Sequence, residues 1–306
     1  MKILITGATG NLGRPLLQNL QQGGAKISAI VRPESVSRLP ADVQAIPCYL
    51  SEASPDPDLV GDQDVLIHLA ASAPHTNAKS VLSESPTVKM AQHTAQLSKK
   101  IRIKRNIVVS SIAASIAESD SLNTRKYGIE KSRADIEFER QFLKEQNCIF
   151  IRPAAIYGPG IDSPISKLAK LIERRIPLPV GMARNPRPYL FLDTFIEAVT
   201  ALINADENLW RDWHFSKLNL CDERAISTRS LVEQLSQVLL RPSRIWCCPW
   251  NILSFTAQLF GSDLVQNAFE AVEEKSDSRW PQLQPGINAP SIPDTFAYMR
   301  HEASQN

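Results

Sequence analysis

Short apolar runs alternate with amphipathic stretches along the first half of the chain. Lys2 to Thr6 (KILIT), Lys26 to Val31 (KISAIV) and Asp64 to Leu69 (DVLIHL) are rich in branched residues and read as buried strands. A weaker strand is expected near Gln44 to Pro47. Asn106 to Ser110 and Cys148 to Ile151 read as a fifth and a sixth, the last closed by Arg152-Pro153. Between the first two, Asn11 to Gln22 carries Leu at 12, 16, 17 and 20, the spacing of one helical face, and Gly23-Gly24 stops it. A polar helix is expected from Glu84 to Lys100 and a long one from Tyr127 to Gln146. The prolines and acids of Ser51 to Asp58 read as a loop. This alternation predicts an α/β fold, a doubly wound and mainly parallel sheet with right-handed crossovers and helices on both faces.

The pattern changes near residue 155. Prolines become dense between Pro177 and Pro188, and strand–helix alternation weakens. Residues 1–155 are therefore expected to form one domain and residues 156–306 a smaller C-terminal subdomain. The segment from about 189 to 220, with a helix over Asp193 to Asn204, is expected to return to the first. The 306 residues are 43% hydrophobic and 22% charged, which excludes a disordered chain. A formal net charge of +2 gives no reason to expect nucleic acid or a membrane surface as partner. The best apolar stretch, Ile107 to Ala117, is interrupted by two serines and falls short of the about 20 apolar residues that a spanning helix needs. The opening MKILITGATG reads as a strand and a turn rather than a signal peptide. Cys48, Cys148, Cys221, Cys247 and Cys248 are odd in number and lack metal-ligand spacing, so reduced thiols, a cytoplasmic location and no metal site are expected.

Candidate chemistry begins directly after the first strand. TGATGNLG places Gly7, Gly10 and Gly13 in a GxxGxxG spacing that opens the first helix. Bare backbone at a helix N-terminus lets a diphosphate approach N–H groups that side chains would cover. The context, strand then glycines then helix, is that of a Rossmann dinucleotide site. An acid ending the second strand would bond the ribose 2′-hydroxyl of NAD, and an arginine suits the 2′-phosphate of NADP. Here that strand ends in Ala29-Ile30-Val31-Arg32, with no acid before Glu34. Arg32 therefore favours NADP over NAD.

Tyr127 and Lys131 form YxxxK at the start of the long helix. Residues four apart share a helix face, where an ammonium favours the phenolate of a tyrosine acting as acid or base. The fifth strand ends in Ser110-Ser111, from which a hydroxyl could bond the same substrate oxygen. His68, inside the fourth strand, reads as a packed residue rather than a catalyst.

Taken with TGATGNLG, the segments DVLIHLAA (Asp64 to Ala71), IVVSSIA (Ile107 to Ala113), YGIEK (Tyr127 to Lys131), IRPAAIYGPG (Ile151 to Gly160) and RPYLFLD (Arg187 to Asp193) occur in one order over residues 1–200. In this the chain resembles an extended short-chain dehydrogenase/reductase of the NAD-dependent epimerase/dehydratase family. The tail, with Pro249-Trp250 and a last helix ending near Arg300, is similar to sugar-nucleotide members. The resemblance implies Tyr127 as catalytic acid/base, Lys131 as its tuner and ligand of the nicotinamide ribose, and Ser111, ahead of Ile112-Ala113-Ala114, as third catalytic residue. It implies that Gly7, Gly10, Asn11, Leu12, Gly13, Ala70, Ala71 and Pro153 border the cofactor, and that Arg187 bonds the diphosphate of a nucleotide-sugar, a UDP-sugar by analogy. Paired hydrogen bonds to phosphate suit a guanidinium.

Three positions depart from the family pattern. Cys48-Tyr49-Leu50 lacks the acid that commonly ends the third strand and bonds adenine. An asparagine is replaced near Met90, and Ala154-Ala155 stands for a polar pair. No acidic pair follows Ser111, so dehydration is not expected. Hydride transfer at C4 of a sugar remains, as a 4-epimerase or a 4-keto reductase. The alternatives are an NADPH-dependent reductase of a non-sugar carbonyl and a non-catalytic NAD(P)-binding sensor. A homodimer through the helices 84–100 and 127–146 is a further expectation from the resemblance.

Overall fold

The computed structural model describes residues 1–72, 85–119, 126–142, 147–222, 225–248, 272 and 275–283. The features read at 249–250 and toward Arg300, and the outermost residues Glu84 and Gln146 of two expected helices, lie outside them. The described elements begin with β1 (Lys2–Thr6), α1 (Gly13–Gln22), β2 (Lys26–Val31), β3 (Gln44–Pro47), α2 (Pro57–Val60), β4 (Val65–His68) and α3 (Pro86–Lys100). They continue with β5 (Arg105–Val109), α4 (Ile112–Ser119), α5 (Lys126–Gln141), β6 (Asn147–Pro153), β7 (Ala155–Tyr157), α6 (Pro164–Glu173), β8 (Pro186–Arg187) and β9 (Tyr189–Phe191). The last are α7 (Leu192–Asn204), α8 (Glu207–Asp212), β10 (Lys217–Leu220), β11 (Ile226–Ser227), α9 (Thr228–Val238) and α10 (Trp280–Leu283).

The chain divides into two compact units. The first comprises Met1–Pro153, Ile196–Leu220 and a segment beginning at Asp277. The second comprises Ala154–Phe195 and Cys221–Ser276, with the C-terminal residues. The segment at Asp277 rejoins the first unit through hydrogen bonds from Asp277 N–H and the Trp280 indole to the carbonyl of Asn219. Nothing in the composition of that stretch announces such a return.

A seven-stranded sheet in the order β10-β6-β5-β4-β1-β2-β3 forms the centre of the first unit, and every pair in it is parallel. This is the doubly wound α/β architecture expected from the alternation. Leu4, Ile30, Leu66, Val108 and Phe150 belong to one hydrophobic cluster with Ala91 and Ala95 of α3 and Ala134 and Phe138 of α5. Ile3, Ile5, Ile67 and Ile107, one position out of phase, are also fully buried, so both faces of the sheet are covered. Strands buried on both faces are mostly apolar, which is why these runs were legible.

The structure differs from the sequence reading at four elements. α4 occupies Ile112–Ser119, where an apolar run gave no helix signal. α2 begins inside the expected loop, with Asp56 accepting from the Asp58 N–H and Pro57 in the first helical position. β10 adds a seventh strand, too short at KLNL to stand out. Its pairing, Asn219 with Arg152 and Leu220 with Pro153, also extends β6 through the dipeptide expected to close it.

In the second unit β7 pairs with β9 in parallel and β8 with β11 antiparallel. α6 starts in a reciprocal cap between Ser163 and Ser166 with Pro164 next, and Ser227 caps α9. Tyr157, Ile165, Ile172, Leu178, Leu231 and Leu235 pack as a separate core. No helix among the described residues is long and apolar enough to cross a membrane.

Candidate active site

The strand order reverses between β1 and β4, the topological switch point where an open α/β sheet presents a crevice beyond its C-terminal strand ends. The glycine loop leaves β1 at this point. Gly7 has φ +74°, and a Cβ there would sit 2.9 Å from the amide nitrogen of Ala70, the residue that follows β4 by two. A Cβ on Gly13 would sit 2.2 Å from the carbonyl oxygen of Gly7, so only glycine lets α1 start this close to the loop. The residue before that helix, Leu12, offers no side-chain cap, and its first turn carries no acid. The N-terminus of α1 thus keeps its positive end for an anion. These features fit the diphosphate of a dinucleotide: the loop runs from Gly7 through Gly10, Asn11 and Leu12 to Gly13, with Gly7 against Ala70 and Ala71 next in the chain.

Arg32 follows β2 directly and is exposed, as its proposed contact requires. Its Nε lies 3.3 Å from Glu34 Oε1, and the Tyr49 hydroxyl donates to Glu34 Oε2 at 3.0 Å. Under the crevice, the Thr6 hydroxyl bonds both the Ala70 N–H (3.2 Å) and His68 Nδ1 (2.9 Å). His68 is buried against the ring of Phe138, and burial, followed by repulsion from Lys131, pushes its pKa down to about 3. It is the packed neutral residue that its place inside a strand suggested.

The serines at the end of β5 have different environments. Ser110 is buried and donates to Asp135 Oδ2 at 2.9 Å. Ser111 is half-buried and stands as the cap of α4, its Oγ accepting the Ala113 N–H at 3.2 Å. The Ser111 hydroxyl proton therefore stays available, while that of Ser110 is committed. α5 lies against the start of α4: a Cβ on Gly128 would come within 2.4 Å of the Ala113 carbonyl oxygen. That absent side chain brings the first turn of α5, and Tyr127 with it, close to the residues that follow Ser111. Tyr127 is 37% exposed, whereas Lys131, one turn later, is 6% exposed and donates from Nζ to the Val109 carbonyl at 3.0 Å.

A buried ionic cluster supports this group, and the sequence reading did not find it. The Arg152 guanidinium, on β6, bonds Asp135 Oδ2 through Nε (3.2 Å) and Nη2 (2.8 Å). It also bonds both oxygens of Glu118 (2.7 and 2.8 Å) and the hydroxyl of Ser115. Lys217 on β10 adds ion pairs to Glu118 and Glu139. Burial raises the Asp135 carboxyl pKa, opposed by Arg152, Ser110 and Lys131. Burial acts on Glu118 the same way, but its Arg152, Ser132 and Lys217 contacts win and hold it at about 2. The one available signal was that Asp135 lies four residues after Lys131, on the same helix face.

Arg187 belongs to the second unit, where it is half-buried on β8 opposite Ile226 of β11. Pro153 ends β6 in the first unit. In the second unit Asp222 is buried, accepting the Tyr157 hydroxyl and the Phe191 N–H at 3.1 Å each. Burial raises its pKa to about 6 against those two hydrogen bonds.

Comparison with known proteins places these features in a family. Residues 3–215 match the model of the NAD dependent epimerase/dehydratase family. The chain is 26% identical over 294 residues to a UDP-glucose 4-epimerase of Vibrio cholerae, covering 86% of this chain and 84% of that protein. It is 24% identical over 282 residues to a dTDP-4-dehydro-6-deoxy-D-allose reductase of Streptomyces bikiniensis, covering 79% and 82%. Among solved structures, a UDP-glucuronic acid 4-epimerase of Bacillus cereus, in complex with UDP-glucuronic acid and NAD, superposes with a TM-score of 0.75. The two share 19% identity, over 100% of this chain and 99% of that one.

Proposed function

The chain belongs to the NAD dependent epimerase/dehydratase family, and from that premise we propose that it moves a hydride at C4 of a nucleotide-sugar, as a 4-epimerase or a 4-keto reductase. The observation that carries this reading is the grouping of Ser111, Tyr127 and Lys131 in the unit that also holds the glycine loop. The two curated relatives named above, an epimerase and a reductase, both act on such substrates by name.

The nicotinamide, when bound, supplies a hydride acceptor or donor. In the oxidising direction the Tyr127 phenolate takes the proton of the C4 hydroxyl while the Ser111 hydroxyl donates to the same oxygen. Lys131, with one proton on the Val109 carbonyl, turns its others to the ribose and to the phenolate. The resulting 4-keto sugar is reprotonated at oxygen by Tyr127 when hydride returns. A 4-epimerase lets the sugar present its other face between the two steps, and a 4-keto reductase runs only the second. Dehydration needs a further acid and base, and Ile112 and Ala113 after Ser111 supply neither. The exposed Arg32 directly after β2 suits the 2′-phosphate of NADP, and this supports NADP over NAD. Arg187 is assigned to the diphosphate of a UDP-sugar.

The test is Tyr127→Phe. Interconversion of UDP-glucose and UDP-galactose, or NADPH-dependent reduction of a 4-keto nucleotide-sugar, should fall by about 10²–10⁴-fold. NADH and NADPH binding should persist. Turnover undiminished by this change overturns the assignment of the acid/base.

A further inference from the structure

The ends of β2 and β3 lie side by side in the sheet. β2 is followed by Arg32 and β3 by Cys48-Tyr49, with no acid at either position. The carboxylate in this region comes from outside the strands. Glu34 sits in the 3₁₀ turn Pro33–Arg38 and reaches both neighbours at once, Arg32 Nε at 3.3 Å and the Tyr49 hydroxyl at 3.0 Å. A backbone hydrogen bond from Cys48 N–H to the Val31 carbonyl, 2.8 Å, keeps the two strand ends in register beneath this clasp. The pairing of Thr6 with Ile30 sets the clasp one strand away from the glycine loop.

Resting on the reading that a nicotinamide dinucleotide occupies this crevice, we infer that Glu34 is a specificity-determining residue that holds Arg32 back from full commitment to NADP. Arg32 alone favours a 2′-phosphate, because a guanidinium forks onto phosphate oxygens. That phosphate must share Arg32 with the Glu34 carboxylate and sits beside a like charge. The ribose 2′-hydroxyl of NAD meets no such repulsion and can donate to Glu34. Exposed ion pairs are weak, so the clasp opens readily and Arg32 stays usable. The wild-type chain accordingly binds both dinucleotides, with a modest preference for NADP. The other charges nearby are Arg38, which attracts Glu34, and Glu52, close to Tyr49; neither belongs to the clasp.

The experiment is a fluorescence titration of the purified full chain with NADH and with NADPH, for wild type, Glu34→Gln and Tyr49→Phe. Glu34 is exposed and glutamine keeps its shape, so folding is not at stake. Glu34→Gln should tighten NADPH binding about tenfold and leave NADH unchanged or weaker, with the gain shrinking at high salt. Tyr49→Phe, which frees the carboxylate without removing its charge, should move the NADPH-to-NADH ratio less than Glu34→Gln does. A Glu34→Gln ratio within twofold of wild type, in a chain that binds either dinucleotide, overturns the inference alone. Wild type that binds neither overturns the dinucleotide reading, and the inference with it.

Discussion

Replacing Arg152 by Met removes a guanidinium whose side chain is 3% exposed and which donates five hydrogen bonds, to Asp135, Glu118 and Ser115. Methionine fills much of the same volume, so the loss is chiefly electrostatic. Asp135, 1% exposed on its side chain, is left with Ser110 as its hydrogen-bond donor from this cluster. Stranding one partner of a buried pair costs about 3–5 kcal/mol. Glu118 adds little, because its side chain is 34% exposed and keeps Lys217. The expected result is a thermal midpoint lower by about 10 °C, read by circular dichroism. With the guanidinium gone, the Asp135 carboxyl rises further above its unfolded value. The folded state then binds a proton that the unfolded state releases, so stability falls as pH rises and the deficit is smaller at pH 5 than at pH 8. Adding Asp135→Asn removes the stranded charge, so the double variant should be more stable than the sum of the singles by at least about 2 kcal/mol. A loss under about 1 kcal/mol for Arg152→Met, or simple additivity in the double variant, refutes the claim that this cluster works as a unit.

Gly13→Ala places a methyl 2.2 Å from the Gly7 carbonyl oxygen, so the loop must open and α1 must shift. NADH and NADPH affinities should both fall at least tenfold in a fluorescence titration, and unaltered affinity would remove the loop from the site. Arg187→Ala should weaken UDP binding severalfold and NADPH binding little, by calorimetry; equal effects on both would end its assignment to the sugar nucleotide. Asp222→Asn tests a pH effect. Burial lifts this carboxyl to about 6, above its usual value of 3.8, so the native state favours the protonated form. Its contribution is greatest below pH 4 and fades as pH rises through 6, a change of about 3 kcal/mol. The asparagine variant should show a flatter stability profile over that window in thermal melts at pH 4 to 7. A slope equal to wild type would show that burial does not raise the Asp222 pKa above its unfolded value.

The sequence by itself determined the strands that are buried on both faces, the glycine loop and the helix it opens, and the YxxxK pair. Each rests on a constraint that is local along the chain. A doubly buried strand has no polar face, a loop suited to admit phosphate needs glycines where side chains would block the backbone, and residues four apart share a helical turn. The family motifs already chose Ser111 over Ser110, and the tertiary structure adds the different partners of the two hydroxyls. Ser110 points to a carboxylate brought by α5, and Ser111 caps a helix that its apolar residues did not announce. Only the tertiary structure could assemble Arg152, Asp135, Glu118 and Lys217, which come from two strands and two helices and lie up to 99 positions apart. Charged residues read singly look like solvated surface, and their burial depends on what the sheet order places beside them. The clasp of Glu34 on Arg32 and Tyr49 has the same origin. Arg32 and Glu34 lie two positions apart, which suggests the first contact, and the second exists because β2 and β3 are neighbours in the sheet.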